Sequence, residues 1–222
     1  DWIKAYFYLS LGQIELARKS AKTWHDVFLK EHPEREAYYG SGYLGILGFI
    51  ELKEGKIDSA KKRASEMMFL LPNVLSSNQR EERTFLAHLL QAEISLAEGS
   101  PERAVTVFER TALPIPPTMQ DMTDLVAYNV PFYKDVLARA YLQKGDIDRA
   151  IIEYEKLITF DPASRARFLV HPVLHYRLAK LHEQKGLKAK AIEQCRKFLE
   201  LWKDADPGTP EVDDARKRLA GL

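Results

Sequence analysis

The chain has 222 residues, 45% of them apolar and 29% charged, which is ordinary for a globular protein able to bury a sizeable core. Its 33 lysines and arginines against 32 aspartates and glutamates exclude a strongly basic nucleic-acid binder and an acidic tail protein, and a lone cysteine, Cys195, excludes internal disulfides. No apolar run approaches the ~18 residues of a membrane span, so direct membrane insertion is not expected. Because it opens at Asp1 with neither Met nor a leader pattern, we expect a piece of a longer protein.

The predicted elements follow from glycines. Gly12, Gly55, Gly99, Gly145 and Gly186 each stand five residues before an alanine, namely Ala17, Ala60, Ala104, Ala150 and Ala191. Each also stands seven residues after a small residue: Ala5, Gly48, Ala92, Ala138 and Ala179. The steps between these glycines are 43, 44, 46 and 41 residues, a period that indicates a helical array. Within a unit, a helix such as the one through Leu137 and Tyr141 ends at a glycine in the left-handed region. A second amphipathic helix, such as the one through Ala150, Tyr154 and Ile158, then runs back against it.

In chain order, the predicted repeats cover about 1–31, 33–72, 78–116, 121–162 and 163–204, followed by a capping helix over 210–220, all in one domain. Pro72, Pro116 and Pro162 close second helices. Residues 113–118, Leu-Pro-Ile-Pro-Pro-Thr, read as a rigid extended loop. Asp121 is expected to cap a short helix stopping near Asn129, and a further short segment covers 163–169. Pro131 and Pro172 suit the first turn of a helix, where a missing N–H leaves nothing unsatisfied. Helix one crowds Trp2, Ile3, Tyr6, Phe7 and Tyr8 into seven residues. At about 100° per residue these cannot share one face. We expect a preceding unit of the longer protein, or a two-fold homodimer through the first repeat, to cover the remainder.

No motif carries catalytic chemistry. Gly40-Ser41-Gly42-Tyr43-Leu44-Gly45 matches a dinucleotide fingerprint, but a helical pattern precedes it and no strand rhythm follows, so Gly42, Gly45 and Gly48 read as a smooth helix face. His171, His175 and His182 share a helical stripe. His175 and His182 lie ~10 Å apart along it, too far for one metal ion, and His182 occupies the slot of Tyr141. Cys195 falls where Phe108 and Tyr154 sit in other repeats and reads as a small buried residue. No cofactor, metal site or enzymatic activity is expected.

The run Leu137-Ala138, Tyr141, Gly145-Asp146, Ala150-Ile151, Tyr154 and Pro162, with its counterpart Leu178-Ala179, Gly186 and Ala191-Ile192, resembles the tetratricopeptide repeat family. The family's period is about 34 residues, so units longer by 7 to 12 imply longer helices or extra turns between pairs. The resemblance implies an all-α fold, a right-handed α-solenoid of about five helix-turn-helix repeats with a C-terminal capping helix. It also implies that first helices line a concave groove for a protein or peptide partner. Six residues before each glycine, that face holds Tyr6, Phe49, Glu93, Arg139 and Lys180. Ten before, it holds Trp2, Gly45, Leu89, Asp135 and Tyr176. The early repeats are therefore apolar and aromatic there and the later ones charged; the alternative is that the longer helices bury the aromatics as core. The Asn that a carboxylate clamp needs at the six-before slot is missing, so a chaperone-tail clamp is not expected. The region from His175 onward resembles closing repeats of bacterial multidomain signalling proteins, including membrane-associated serine/threonine kinases. The functional expectation is a non-enzymatic scaffold or regulatory module. The alternative is a ligand-sensing helical repeat of a bacterial regulator, with Gly42, Gly45 and Phe49 lining a pocket. The compartment stays open, with the cytoplasm favoured.

Overall fold

In a computed structural model of the chain, residues 2–109, 135–159, 171–206 and 208–221 are described. By their contacts the residues form two compact units, Asp1–Val130 and Pro131–Leu222. All regular structure in the described residues is helical. The expected loop at 113–118, the helix between Asp121 and Asn129, Pro116, Pro131, Pro162 and the segment 163–169 lie outside them.

Unit 1 holds three helix pairs. These are α1 (Trp2–Ser10) with α2 (Ile14–Glu31), α3 (Glu36–Lys53) with α4 (Ile57–Leu70), and α5 (Ser77–Ala97) with α6 (Pro101–Glu109). Each helix packs on its own partner, and the first helix of a pair packs on the pair before it: α3 on α2, and α5 on α3 and α4. The helices α2, α3 and α5, of 18, 18 and 21 residues, account for the long period. Pro72 lies in a short 3-10 turn, Leu71–Asn73, that closes the second pair. Unit 2 repeats the scheme with α7 (Val136–Gln143) and α8 (Ile147–Ile158), then α9 (Pro172–Gln184) and α10 (Lys188–Leu201). Pro172 stands in the first turn of α9, as its missing N–H allows. A closing helix, α11 (Pro210–Gly221), lays Val212 and Ala215 on Phe198.

The five turns are the same structure. Among the described residues every positive φ belongs to a glycine, and the five turn glycines lie between +70° and +79°. At Gly145, φ is +79°. Its N–H donates to the Leu142 carbonyl at 3.0 Å, and the Asp146 N–H reaches back to the Tyr141 carbonyl at 2.9 Å. This is the paired hydrogen-bond pattern that satisfies the last carbonyls of a helix, and it recurs at the other four glycines. On either side, Ala5, Ala17, Ala60, Ala92, Ala104, Ala138, Ala150, Ala179 and Ala191 are all at most 1% exposed. Small side chains at these buried slots let the two helices of a pair pack closely.

Successive pairs are also joined at the edge. Glu54, one residue before its glycine, accepts from Arg18 of the preceding pair at 2.9 Å, and Glu98 at the equivalent position accepts from Lys61. In unit 2 the same slot holds Lys185, bound to Asp148 of the preceding pair at 2.8 Å. Such exposed pairs contribute about 0–1 kcal/mol each but fix register.

The glycines of α3 have a packing role. A Cβ at Gly48 would lie 2.4 Å from Leu90, one at Gly45 2.8 Å from Leu86, and one at Gly42 3.0 Å from Trp24. They form the smooth face that admits α5. Two glycine substitutions should therefore fail for different reasons. Gly145→Val meets no neighbour, yet should destabilise unit 2 by more than ~1 kcal/mol through its left-handed backbone. Gly48→Ala gains helix propensity but should destabilise unit 1 by ~1–3 kcal/mol by displacing Leu90. Urea midpoints check both; a neutral Gly145→Val would contradict the turn assignment.

Candidate functional site

The ten residues of the expected groove divide sharply. In unit 1, Tyr6, Gly45, Phe49 and Leu89 are buried; Tyr6, Phe49 and Leu89 are 1%, 6% and 0% exposed. Their assignment to an open groove is corrected here. The long α3 and α5 carry extra turns of side chains that meet across the glycine face, so slots that would look outward in shorter repeats are core. Tyr6 lies 6.4 Å from Phe49, ring to ring, and Gly45 is covered by Leu86 and Met67. Trp2 is half-buried, edge-on to Tyr6 at 5.1 Å. Glu93 is half-exposed.

Unit 2 is different. Asp135 is wholly buried, yet its two oxygens are shared among three donors. Arg139 Nε, one helical turn along, donates to Oδ1 at 2.9 Å. Tyr154 on α8 donates to Oδ2 at 3.3 Å, and Arg177 on α9 donates to the same oxygen. The carboxylate thereby pins α7, α8 and α9 together, and together with burial it pushes the Tyr154 hydroxyl up. Both guanidinium side chains remain about a third exposed. Next to Arg177 on α9, Tyr176 is half-exposed. Its hydroxyl donates to Asp214 of α11 at 2.7 Å, and burial with that bond pushes it up to about 12. Lys180 is exposed, its Nζ 5.3 Å from the Tyr176 ring centre, within range of a cation–π contact. Arg218 bridges Asp214 and Glu183, closing the edge of the strip.

Unit 2 therefore joins Asp135 and Arg139 to Arg177 of α9, and on the same helix Lys180 lies against Tyr176, which is bonded to α11. Sequence reasoning missed Arg177. Nine residues before the glycine, the other repeats hold Ile3, Ile46, Leu90 and Val136, so an arginine in an otherwise apolar slot was the signal. The strip can hold carboxylates: two planar guanidinium forks are fixed by one buried counter-charge, with an ammonium and a ring platform beside them.

The remaining candidates are structural. His171 caps α9, its Nδ1 accepting from the Val173 N–H at 3.2 Å. His175 Nδ1 lies 2.7 Å from Gln194, and His182 is buried in the Tyr141 slot with no partner for Nδ1. Cys195 is buried, which pushes its thiol up, away from reactivity. Among the described residues no group of three metal-ligating side chains converges, and no helix is long and apolar enough to cross a membrane.

The geometry agrees with a comparison against protein families. The tetratricopeptide repeat model matches residues 135–164 and 173–202, the two helix pairs of unit 2. These two helix pairs thus match tetratricopeptide repeats, and the described residues as a whole have an all-α helical-repeat fold. The three pairs of unit 1 share the turn geometry but lie outside the matched residues. No curated protein and no solved structure matched the chain.

Burial holds His171 and His182 below the usual imidazole range. Their folded-state values are lowered, so the unfolded chain takes up protons first. Stability should be full above about pH 6.5 and fall as the pH drops from there through their depressed values. His182→Phe removes one of these groups along with an unpartnered buried nitrogen. It should raise the melting temperature at neutral pH and make the acid-side fall shallower. An unchanged pH profile would contradict this assignment.

Proposed function

We propose that the chain is a non-enzymatic protein-interaction module whose second unit holds an acidic segment of a partner on the α7 and α9 faces. Tetratricopeptide repeats are generally protein–protein interaction modules, which sets the class. The observation that carries the finer reading is the strip itself. Arg139, Arg177 and Lys180 supply three cations, two of them held by the buried Asp135, in slots where unit 1 holds mainly apolar side chains. Asp135 holds both forks in place before binding, so little side-chain freedom is lost when carboxylates arrive. Tyr176 offers an apolar edge beside them for an adjoining aromatic or aliphatic residue. The segment comes from another protein or from a neighbouring domain of a longer polypeptide. In unit 1, Trp2 and Glu93 are the expected groove residues that keep some exposure, and they stand as secondary contacts. The small-molecule reading loses its pocket, because Trp24, Arg83, Leu86 and Met67 occupy the space in front of Gly42 and Gly45.

Binding of fluorescently labelled peptides, one rich in Asp and Glu around a single Phe and one with every acid replaced by Lys, tests the proposal. The acidic peptide should bind, with an affinity that falls as salt rises. Arg139→Gln with Lys180→Gln should weaken it by about tenfold or more. A control substitution at the exposed Lys188 should leave it unchanged. Equal binding of both peptides, or binding indifferent to the double variant, would overturn the proposal.

A further inference from the structure

Arg139 and Arg177 come from different helices, α7 and α9, and meet at one group. Arg139 reaches Oδ1 of Asp135 through Nε, and Arg177 reaches Oδ2 through a terminal nitrogen. The two guanidinium planes therefore flank the two oxygens of a single buried carboxylate, while each side chain stays about a third exposed. Lys180 is exposed and follows Arg177 by three residues, a spacing that puts two side chains side by side on a helix. Arg177 is thus the junction of three cations, with Arg139 across the helix pair and Lys180 along α9.

Charge and shape together select the group that fits there. The two arginines less Asp135 leave a charge of +1, and Lys180 raises it to +2. The acids further along, Asp214 and Glu183, lie toward α11, where Arg218 takes both. A side-chain carboxylate brings one charge and two oxygens, which a single guanidinium fork takes up in a bidentate pair. A phosphorylated serine or threonine brings about −2 at pH 7 and three acceptor oxygens, enough to accept from two forks at once. The surroundings ask for apolar neighbours rather than further acids. Leu142, three residues beyond Arg139, is 38% exposed, where the equivalent Leu9 of repeat one is 1% exposed. The ring of Tyr176 stands next to Arg177 on the other side.

We infer that unit 2 recognises a phosphorylated serine or threonine in its partner segment, with Arg139 and Arg177 sharing the phosphoryl oxygens and Lys180 supplying the remaining charge. The inference rests on the reading of unit 2 as the surface for an acidic segment, and it names the group that supplies the acid. Binding is then conditional on phosphorylation of the partner.

Fluorescence anisotropy with the whole chain and three labelled peptides tests it. One peptide carries a single phosphoserine in a sequence of Gly, Ser and Leu, one is its unphosphorylated form, and one has an Asp-Asp pair in place of the phosphoserine. The phosphopeptide should bind about tenfold or more tighter than the Asp-Asp peptide, and the unphosphorylated form should not bind. Arg177→Lys keeps a charge beside Asp135 but loses the planar fork. It should cut phosphopeptide affinity by about tenfold and leave the Asp-Asp affinity nearly unchanged. Lys180→Gln, at an exposed position, should weaken both by the same factor. The wild-type comparison decides the matter even if the Arg177 variant misfolds. Inorganic phosphate should displace the phosphopeptide only at millimolar concentration. An Asp-Asp peptide bound as tightly as the phosphopeptide, or a preference unchanged in Arg177→Lys, would overturn the inference and leave the acidic-segment reading standing. Displacement by micromolar phosphate would give the site to free phosphate and overturn it as well. Absence of binding by either acid-bearing peptide would overturn both readings.

Discussion

The structure depends on one steric condition: the two helices of each pair must come close enough for alanine to fill the space between them. A glycine in the left-handed region ends the first helix, and small residues seven before and five after it sit in the contact. Nothing larger fits without forcing the pair apart, and overpacking of this kind costs about 1–3 kcal/mol. Once these three positions are fixed, every other position has a defined direction. One slot faces the preceding pair, one carries the edge ion pair, and two face the surface formed by successive first helices. The chain meets this condition five times, with alanines exposed by no more than 1%.

Within that frame, the two units differ in what fills equivalent slots. In unit 1 the first-helix slots are mostly apolar, and Tyr6, Gly45, Phe49 and Leu89 are buried there, while Trp2 and Glu93 keep some exposure. In unit 2 the same slots hold Asp135, Arg139, Tyr176 and Lys180, and the shorter helices leave three of the four partly or wholly accessible. The buried Asp135 is central to this difference. A carboxylate in that position is tolerable only because three donors reach it, and in satisfying it two arginines are held where they meet solvent. Under the proposed function, stability and recognition draw on the same cluster. The closing helix adds to it, since Asp214 is held below the usual carboxylate range by Arg218 and Tyr176 and in turn fixes the Tyr176 ring.

The repeat was legible because glycine, alanine and proline act locally. A positive φ and a close helix contact restrict residue type whatever surrounds them, so the turns, the small-residue slots, Pro172 and the closing helix could be read directly. The same locality exposed the Gly42, Gly45 and Gly48 run as a packing face. Groove and core could not be separated in this way. Whether Tyr6, Phe49 and Leu89 are covered depends on how far α3 and α5 extend and on which faces meet, and these follow from the stack as a whole. Arg177 escaped notice because it breaks an apolar pattern, and its partner Asp135 lies 42 residues earlier in the chain.

The central claim is that five turns share one hydrogen-bonded structure that sets the register of everything else. Amide hydrogen exchange at the five residues that follow the turn glycines, Gln13, Lys56, Ser100, Asp146 and Leu187, tests it most directly. Their N–H groups reach back to the carbonyls of Tyr8, Glu51, Ser95, Tyr141 and His182 at 2.8–2.9 Å. The account predicts slowed exchange at all five, although each sits in a surface turn where an amide bonded only to water would exchange freely. Free exchange at these positions, with the flanking helices protected, would contradict it.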